Sequence, residues 1–205
     1  NWFNPEINID FWDTGPSGFG YGDQDDNTET SQTISVLIRK TFQISNPEII
    51  EKAFFHIDYD DGYIAYLNGQ EFSRRNMGMI GSSVPYDESA TDLHEAEIYQ
   101  GGFPERIDIN LEQFNFNIGD NIIAIEVHNY GPNSSDLSCI PFLTLGYNSI
   151  QDNSQEPNSN MELPNSFLHT NFKLNSSDDL IFLSNAEEDL IDSVLIQNIP
   201  TDMSY

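Results

Sequence analysis

The sequence predicts an all-β fold, an antiparallel β-sandwich or jelly roll, and three observations support this prediction. Several short runs alternate apolar and polar residues with a period of two, as half-buried strands do. Clusters of Asn, Asp, Gly, Ser and Pro separate these runs, which is typical of turns. A helical period of useful length is hard to find, and "NPEIIEKAFF" allows one helical turn after Pro47 at most. Strands of this kind stack as two sheets around one core.

The expected strands follow one another along the first two thirds of the chain. They are "TISVLIRKTFQI", "KAFFHIDY", "GYIAYLNG", "ERIDINL" and "NIIAIEVHNY". In the last run, Ile123, Ile125 and Val127 share one parity, and Ile122, Ala124, Glu126 and His128 share the other. Asp61-Gly62 and the later Asn-Gly pair are residues that favour tight turns.

Composition changes after "IPFLTLGY", which predicts a division of the chain. We expect a sandwich over residues 1–147, a linker rich in Asn, Ser and Gln over 148–165, and a small β-rich segment over 166–205. The last segment contains the expected strands "FLHTNFKL", "DLIFLSN" and "LIDSVLIQ". Three strands in so short a segment bury little apolar area alone, so this segment is expected to dock or to be truncated.

Charge and cysteine content exclude several classes of function. The formal net charge is -27, from 34 acidic and 7 basic residues, and phosphate binding needs clustered cations, so nucleic acid is not an expected partner. Anionic membrane surfaces are disfavoured for the same reason, and no run of about 18 apolar residues predicts membrane insertion. Cys139 has no second cysteine to pair with and is expected to be buried.

Four segments together resemble a galactose-binding-like β-sandwich module. This module is found in large secreted bacterial proteins beside spore-coat-protein-H-like kinase, lamin-tail and metallophosphoesterase domains. The resemblance covers roughly residues 10–146 and is carried by "GFGYGDQDDNTET", "LIRKTFQI", "IDYDDGYIAYLNGQEFSRRNM" and "NIIAIEVHNYGPNSSDLSCIPFL". The tail resembles part of a lamin-tail-like unit, and its ending at Tyr205 suggests a boundary within a longer protein. The composition is similar to that of marine bacterial proteins.

The resemblance implies a secreted or cell-surface, non-catalytic accessory module with neighbouring domains as partners. Such sandwiches serve as sugar binders, adhesion modules and spacers, so the fold alone does not decide between these roles.

The loop "YGDQDDNT" offers side-chain oxygens suited to Ca²⁺, which takes about six to eight oxygen ligands. The candidate ligands are Asp23, Asp25, Asp26 and Thr28, and the resemblance implies Glu126 as an acid that closes the shell from a late strand. A solvated acidic turn is the alternative. Zinc is not expected, because His56, His94, His128 and His169 lack ligand spacing.

The acidic corner "IDYDDGY" allows three interpretations. Asp60 and Asp61 supply turn chemistry through side-chain to backbone hydrogen bonds in the simplest one. In the second, Asp58 and Asp60 share a parity with His56 and present a face that binds a sugar or an ion. Catalysis by paired carboxylates is the weakest, because the sequence shows only an exposed turn.

Basic residues are few, so their positions matter. Lys40 shares its parity with apolar positions of its run, and we expect a salt bridge to an aspartate such as Asp60. Arg74 and Arg75 are expected in a loop after a hairpin, where they either hold an acidic sugar substituent or neutralise nearby acids.

An aromatic platform completes the expected sugar site, since flat rings stack on pyranose faces while polar groups read hydroxyls. Trp12 and Tyr130 are the candidate rings. The run "HNYGPNSSDLS" adds His128, Asn129 and Asp136, and the family topology implies that it lies near the calcium loop.

We therefore expect a carbohydrate-binding module that binds a polysaccharide, with marine algal glycans as plausible ligands by analogy, and carries a structural calcium ion. The main alternative is a spacer, adhesion or domain-docking module without a sugar site. An enzyme is the third possibility, but no Gly-x-Ser-x-Gly, His-Glu-x-x-His or phosphate-cradling motif is present.

Overall fold

The computed structural model describes residues 1–22, 25–148, 161, 163, 179–184 and 190–196. The chain divides into two compact units, Asn1–Glu162 and Leu163–Tyr205. The strands of the first unit are β1 (Phe19–Tyr21), β2 (Thr28–Glu29), β3 (Ser35–Ile44), β4 (Ile50–Tyr59), β5 (Gly62–Leu67), β6 (Gln70–Arg75), β7 (Glu105–Asp108), β8 (Gly119–His128) and β9 (Leu137–Tyr147). Short 3-10 helices lie at Pro47–Ile49 and Ile98–Gln100.

The strands of the first unit form two sheets. The first sheet has the order β2-β1-β9-β4-β7, and the second has the order β3-β8-β5-β6. Neighbouring strands are antiparallel except β1 and β2, which are parallel. The described residues contain no α-helix. Residues of both sheets enter one apolar core, so the predicted all-β antiparallel sandwich is confirmed.

Side-chain parity decides which residues enter that core. On β8, Ile125 and Val127 are buried between the sheets, whereas Ala124 packs on the outer face of the second sheet, as the alternation predicts. On β4, Phe55 and Ile57 face the core, so the alternate residues Phe54, His56 and Asp58 face the outside of the first sheet.

The predicted turns occur at both ends of β5. Asp61 has φ of 26° and links β4 to β5, while Asn68 and Gly69 have φ of 50° and 85° and link β5 to β6. The turn at Asp60 and Asp61 therefore lies at one end of the sandwich. The end of β8 and the start of β9 lie at the same end, because His128 pairs with Gly62 and Cys139 pairs with Tyr59.

The N-terminal segment, residues 1–12, covers the outer face of the second sheet. The Phe3 ring stacks on Tyr66 with centroids 4.1 Å apart, and Trp2 meets Tyr66 edge-on at 5.8 Å. Arg39 fixes the segment by donating to the backbone oxygens of Trp2 and Pro5 at 2.9 and 3.0 Å. These contacts bury side chains that would otherwise lie on an open sheet face.

The second unit contains the antiparallel pair β10 (Asp179–Ser184) and β11 (Leu190–Ile196). These strands coincide with the predicted runs "DLIFLSN" and "LIDSVLIQ". The run "FLHTNFKL" and nearly all of the predicted linker lie outside the described residues, so the predicted boundaries at 147 and 165 stay predictions. No helix among the described residues is long and apolar enough to cross a membrane.

Candidate functional site: an acidic rim at one end of the sandwich

Loops from both sheets meet at the end of the sandwich that carries the β4–β5 turn. A Cβ built on Gly22 would lie 2.6 Å from the backbone oxygen of Ser135, so the loop after β1 contacts the loop before β9. The Tyr21 hydroxyl donates to the Ser134 oxygen at 3.3 Å and accepts from the Asn129 amide at 2.8 Å. We call the group formed by Asp60, Glu95, Tyr130 and Asp136 the acidic rim.

Asp61 holds two of these loops in place. Its side chain is almost fully buried, with an exposed fraction of 2 %. One carboxylate oxygen accepts from the backbone N–H of His94 at 3.0 Å, and the other accepts from that of Tyr130 at 2.7 Å. Its backbone oxygen also accepts from the Asn76 amide at 2.7 Å. Asp61 therefore fixes the rim loops and does not read a ligand.

Asp60 differs from its neighbour because its carboxyl group makes less contact with the backbone. Its Oδ1 accepts from the Asp61 N–H at 3.1 Å. Burial, followed by the negative charges of Asp61, Asp136 and Glu95, raises the pKa of Asp60 to about 8. Asp60 is therefore largely protonated at neutral pH, and a protonated carboxyl group can donate a hydrogen bond as well as accept one.

Asp58 and His56 share the outer face of the first sheet with Asp60, as their parity predicts, and all three residues are buried. The Asp58 carboxylate accepts from the backbone N–H groups of Glu97 and Ile98 at 2.8 to 3.1 Å. Burial raises the pKa of Asp58. This carboxylate anchors the following loop against the sheet.

Two predicted ligand-binding residues lie inside the protein. His128 and Asn129 are fully buried. His128 Nδ1 lies 2.8 Å from the Glu88 backbone oxygen, and the Asn129 amide donates to the Thr33 oxygen at 2.9 Å and to the Tyr21 hydroxyl. Both side chains hold the rim loops from beneath.

Arg74 lies in β6 and not in a loop, so the predicted location is wrong. Its guanidinium donates to both carboxylate oxygens of Glu71 at 2.8 and 2.9 Å and to the Met77 backbone oxygen at 2.7 Å. It also donates to Ser82 at 2.9 Å. With its donors engaged and only 6 % of the residue exposed, Arg74 fixes the chain that follows β6.

Arg75 and Trp12, two further predicted ligand residues, have partners of their own. Arg75 also lies in β6, is partly exposed, and pairs with Glu105 while donating to the Arg74 oxygen at 2.9 Å. Trp12 stacks on Trp2 with ring centroids 6.3 Å apart, within the segment that covers the second sheet. Of the predicted rings and polar groups, the rim therefore keeps Tyr130, Asp60 and Asp136.

The predicted calcium ligands that the structure describes, Asp25, Asp26, Thr28 and Glu126, do not form one group. The Asp25 carboxylate accepts from the Ser138 hydroxyl at 3.1 Å, and its second oxygen is buried without a hydrogen-bond partner among the described residues. Asp26 packs close to Gly20. Thr28 donates to the Pro16 oxygen at 2.6 Å. Asp23 lies outside the described residues.

Glu126 is the clearest departure from the predicted calcium set. Its carboxylate accepts from the Tyr66 hydroxyl at 3.0 Å and lies 3.5 Å from His128 Nε2, on the outer face of the second sheet. Asp25 bonds to β9 of the first sheet instead. Within the described ranges, no three Asp, Glu, His or Cys side chains lie close enough to share a metal ion.

The sequence did not indicate that His94 and Glu95 lie at this end of the sandwich. It also predicted a salt bridge from Lys40 to an aspartate, which the described residues do not form. His94 stacks on Tyr59 at 4.0 Å, and the backbone of this segment joins the rim through Asp61. No spacing in the sequence marks these residues. Lys40 is exposed, and no ion pair joins it to Asp60 or to another carboxylate in the part of the chain that the structure describes.

Comparisons with known proteins give no family for this chain. No protein-family model matches the sequence, and no curated protein matches it significantly. The solved structures that resemble it include the α-L-rhamnosidase of Streptomyces avermitilis complexed with L-rhamnose, at 19 % identity and a TM-score of 0.36, covering 58 % of this chain and 9 % of that one. The α-L-rhamnosidase of Dictyoglumus thermophilum follows at 19 % identity and 0.35, covering 56 % and 11 %. The chain thus spans about a tenth of either enzyme, and these TM-scores do not identify a function.

Proposed function

We propose that the chain is a non-catalytic, galactose-binding-like carbohydrate-binding module of a larger secreted or cell-surface protein, with its sugar site at the acidic rim. One observation carries this proposal. The Tyr130 ring is 51 % exposed while its backbone N–H is held by buried Asp61. A flat ring on a fixed loop loses little entropy when a sugar stacks on it.

In this proposal, carboxyl groups of the acidic rim supply hydrogen bonds for sugar hydroxyl groups. Asp60 is protonated and only 5 % exposed, so it can donate and accept only at the small part of its surface that solvent reaches, and partly exposed Asp136 can accept. The arginines that would bind an acidic substituent are engaged elsewhere, Arg74 with Glu71 and Arg75 with Glu105. Neutral galactans such as agarose are therefore the first polysaccharides to test, ahead of sulfated or uronate-rich ones.

The same geometry argues against glycoside cleavage. A glycosidase places two carboxyl groups on either side of the scissile bond, one as acid and the other as base or nucleophile. Asp61, the nearest carboxyl to Asp60 in sequence, already accepts two backbone N–H bonds and is buried. Asp61 is therefore not available as the second carboxyl of a glycosidase pair with Asp60.

A structural calcium ion is part of the proposal, with a reduced set of ligands. Asp25 fits, because one of its carboxylate oxygens is buried and has no hydrogen-bond partner among the described residues. Asp26 and Asp23 belong to the same loop, and backbone oxygens would complete the shell. Glu126 does not fit, since it bonds to Tyr66 on the other sheet.

Chelation tests the calcium proposal. An ion that binds only the folded state raises the melting temperature by mass action, so EDTA should lower it and added Ca²⁺ should restore it. Asp25→Asn should melt at the same temperature with and without EDTA. An EDTA-insensitive melt of the unaltered chain would remove the ion from the proposal and leave the sugar site to be tested separately.

Affinity electrophoresis in gels containing agarose, porphyran, alginate, xylan or a bacterial polysaccharide tests the sugar site. We expect retardation in at least one gel, greatest for a neutral galactan, and no release of reducing ends from it. A spacer or docking module is the second candidate, because His128, Asn129 and Arg74 all hold structure. Unchanged mobility in every gel would contradict the sugar site and leave the second candidate as the proposal.

A further inference from the structure

A groove lies between the two sheets, away from the acidic rim. It is an open groove of about 450 Å³ in the first unit, within the range of sites that hold small organic ligands. Its lining residues come from β1, β3, β8, β9 and the segment before β1. They include Phe19, Ile38, Phe42, Ile123, Ile125 and Leu143.

The groove is an opening into the core. Ile125 and Ile38 form its buried part, with exposed fractions of 1 % and 8 %. Leu143 and Leu145 pair with Phe55 and Ala53 across β9 and β4 and so face the core side, yet both are only half-buried. Apolar area that faces inward and stays partly open is available to an apolar ligand.

A cation stands beside this apolar lining. Lys40 is exposed and borders the groove between Ile38 and Phe42 on β3. None of the described carboxylates pairs with it. The neighbouring Arg39 uses its guanidinium on the backbone oxygens of Trp2 and Pro5. Lys40 is one of 7 basic residues against 34 acidic ones, and its ammonium, unpaired among the described carboxylates, favours a negative ligand group.

We propose that the interlayer groove binds an amphiphile with a single alkyl chain and an anionic head group. The chain lies against Ile123, Ile125 and Leu143, and the head group reaches the Lys40 ammonium. Burial of the alkyl chain supplies most of the affinity, at about 0.8 kcal/mol per methylene group. The ammonium supplies the preference for an anion. A sugar does not suit this lining, because apolar side chains leave its hydroxyls without hydrogen bonds.

Titration calorimetry of the whole chain tests the proposal, with decanoate below its critical micelle concentration as the probe. We expect saturable binding of one decanoate. Nonyltrimethylammonium, which has the same nine-carbon alkyl chain and the opposite charge, should bind at least tenfold more weakly. Lys40→Gln should weaken decanoate binding roughly tenfold, which corresponds to about 1.4 kcal/mol, and Lys40→Arg should retain it.

A groove-filling variant separates the groove from nonspecific adsorption. Leu143→Trp places a larger ring in the groove and should abolish decanoate binding. Ile118→Trp, at a site that is 78 % exposed and outside the groove lining, is the matched control and should bind decanoate normally. Melting curves of both variants check that they fold, and Leu145→Trp replaces Leu143→Trp if the latter does not.

Three results would overturn the proposal: no saturable binding of decanoate, equal binding of the cationic analogue, or full binding by folded Leu143→Trp. Competition with an apolar extended peptide adds a further arm. A peptide that binds the unaltered chain while decanoate does not would assign the groove to a protein partner. None of these outcomes bears on polysaccharide retardation, so the two sites are judged independently.

Discussion

The acidic rim and the interlayer groove are built in opposite ways. At the rim, buried carboxylate, amide and imidazole groups bond to the loop backbones, as Asp61 does with His94 and Tyr130. At the groove, apolar side chains such as Leu143 are left half-covered beside the exposed ammonium of Lys40. Residue type alone therefore does not distinguish a group that can bind a ligand from one that stabilises the fold. The hydrogen bonds that each group already makes within the protein distinguish them.

Substitution of two adjacent arginines, one buried and one exposed, should give the largest difference in unfolding free energy. Arg74→Ala removes a guanidinium from a pair whose side chains are 2 % and 10 % exposed, leaves the Glu71 carboxylate without its cation, and should cost about 3–5 kcal/mol of unfolding free energy. Arg75→Ala removes a 44 % exposed side chain and should cost less than about 1 kcal/mol. Urea denaturation measures both.

Equal losses for the two arginine variants would show that Arg74 is not the anchor of the segment after β6. The double variant Glu71→Ala with Arg74→Ala sharpens the test. It should be less destabilised than the sum of the single variants, because neither partner is left buried and unpaired.

Substitution of Asp61 should give the next largest loss of unfolding free energy. Asp61→Ala leaves the backbone N–H groups of His94 and Tyr130 without their acceptor and should cost about 1–3 kcal/mol for each group that stays buried. Asp92→Ala, which removes an exposed carboxylate bonded to the adjacent Leu93 N–H, is the matched control and should change stability little. Hydrogen exchange should also show faster exchange at His94 and Tyr130 in Asp61→Ala alone.

Asp60 gives a smaller effect that depends on pH. Its pKa is raised in the folded protein to about 8 from an ordinary value near 3.8, so the folded state binds a proton that the unfolded state releases. The contribution of Asp60 to stability is therefore complete below about pH 4 and is lost as the pH rises to about 8. In Asp60→Asn the decline in melting temperature between pH 5 and pH 8 should be shallower. An unchanged slope would contradict the raised pKa.

The sequence predicts the sandwich well because period-two alternation reports burial directly. The parity of β8 separates Ile125 and Val127 from Ala124 and Glu126, and the structure places them on opposite faces as expected. The turn residues Asp61 and Asn68 adopt positive φ values at the predicted corners. Both features depend on local chemistry, which a single sequence contains.

The ion pair between Arg74 and Glu71 could not be predicted from the sequence, because a β-bulge changes the alternation of side chains along β6. In a regular strand, residues three apart point to opposite faces. The register shifts between Ala65 and Tyr66, which pair with Ser73 and Glu71, so β6 carries one extra residue. The bulge brings Glu71 and Arg74 to one face, where they form their ion pair.

The predicted calcium-ligand role of Glu126 and the predicted salt bridge of Lys40 were wrong for a different reason. The partners of both residues depend on how segments distant in sequence pack together. The parity of Glu126 correctly placed it outside the second sheet, which separates it from Asp25 at the first sheet. Lys40 lies beside the open groove, away from the aspartates of the β4–β5 turn. Spacing along the chain does not show how far Glu126 lies from Asp25 or Lys40 from these aspartates.

Tyr130 on its fixed loop is proposed to bind sugar, and a comparison of the affinities of two Tyr→Ala variants tests this proposal. The dissociation constant for the polysaccharide that retards the unaltered chain should be measured for Tyr130→Ala and for Tyr86→Ala, whose ring is 73 % exposed outside the rim. We expect Tyr130→Ala to weaken polysaccharide binding by roughly tenfold or more and Tyr86→Ala to bind as the unaltered chain does. Equal affinity of all three proteins would contradict the proposal.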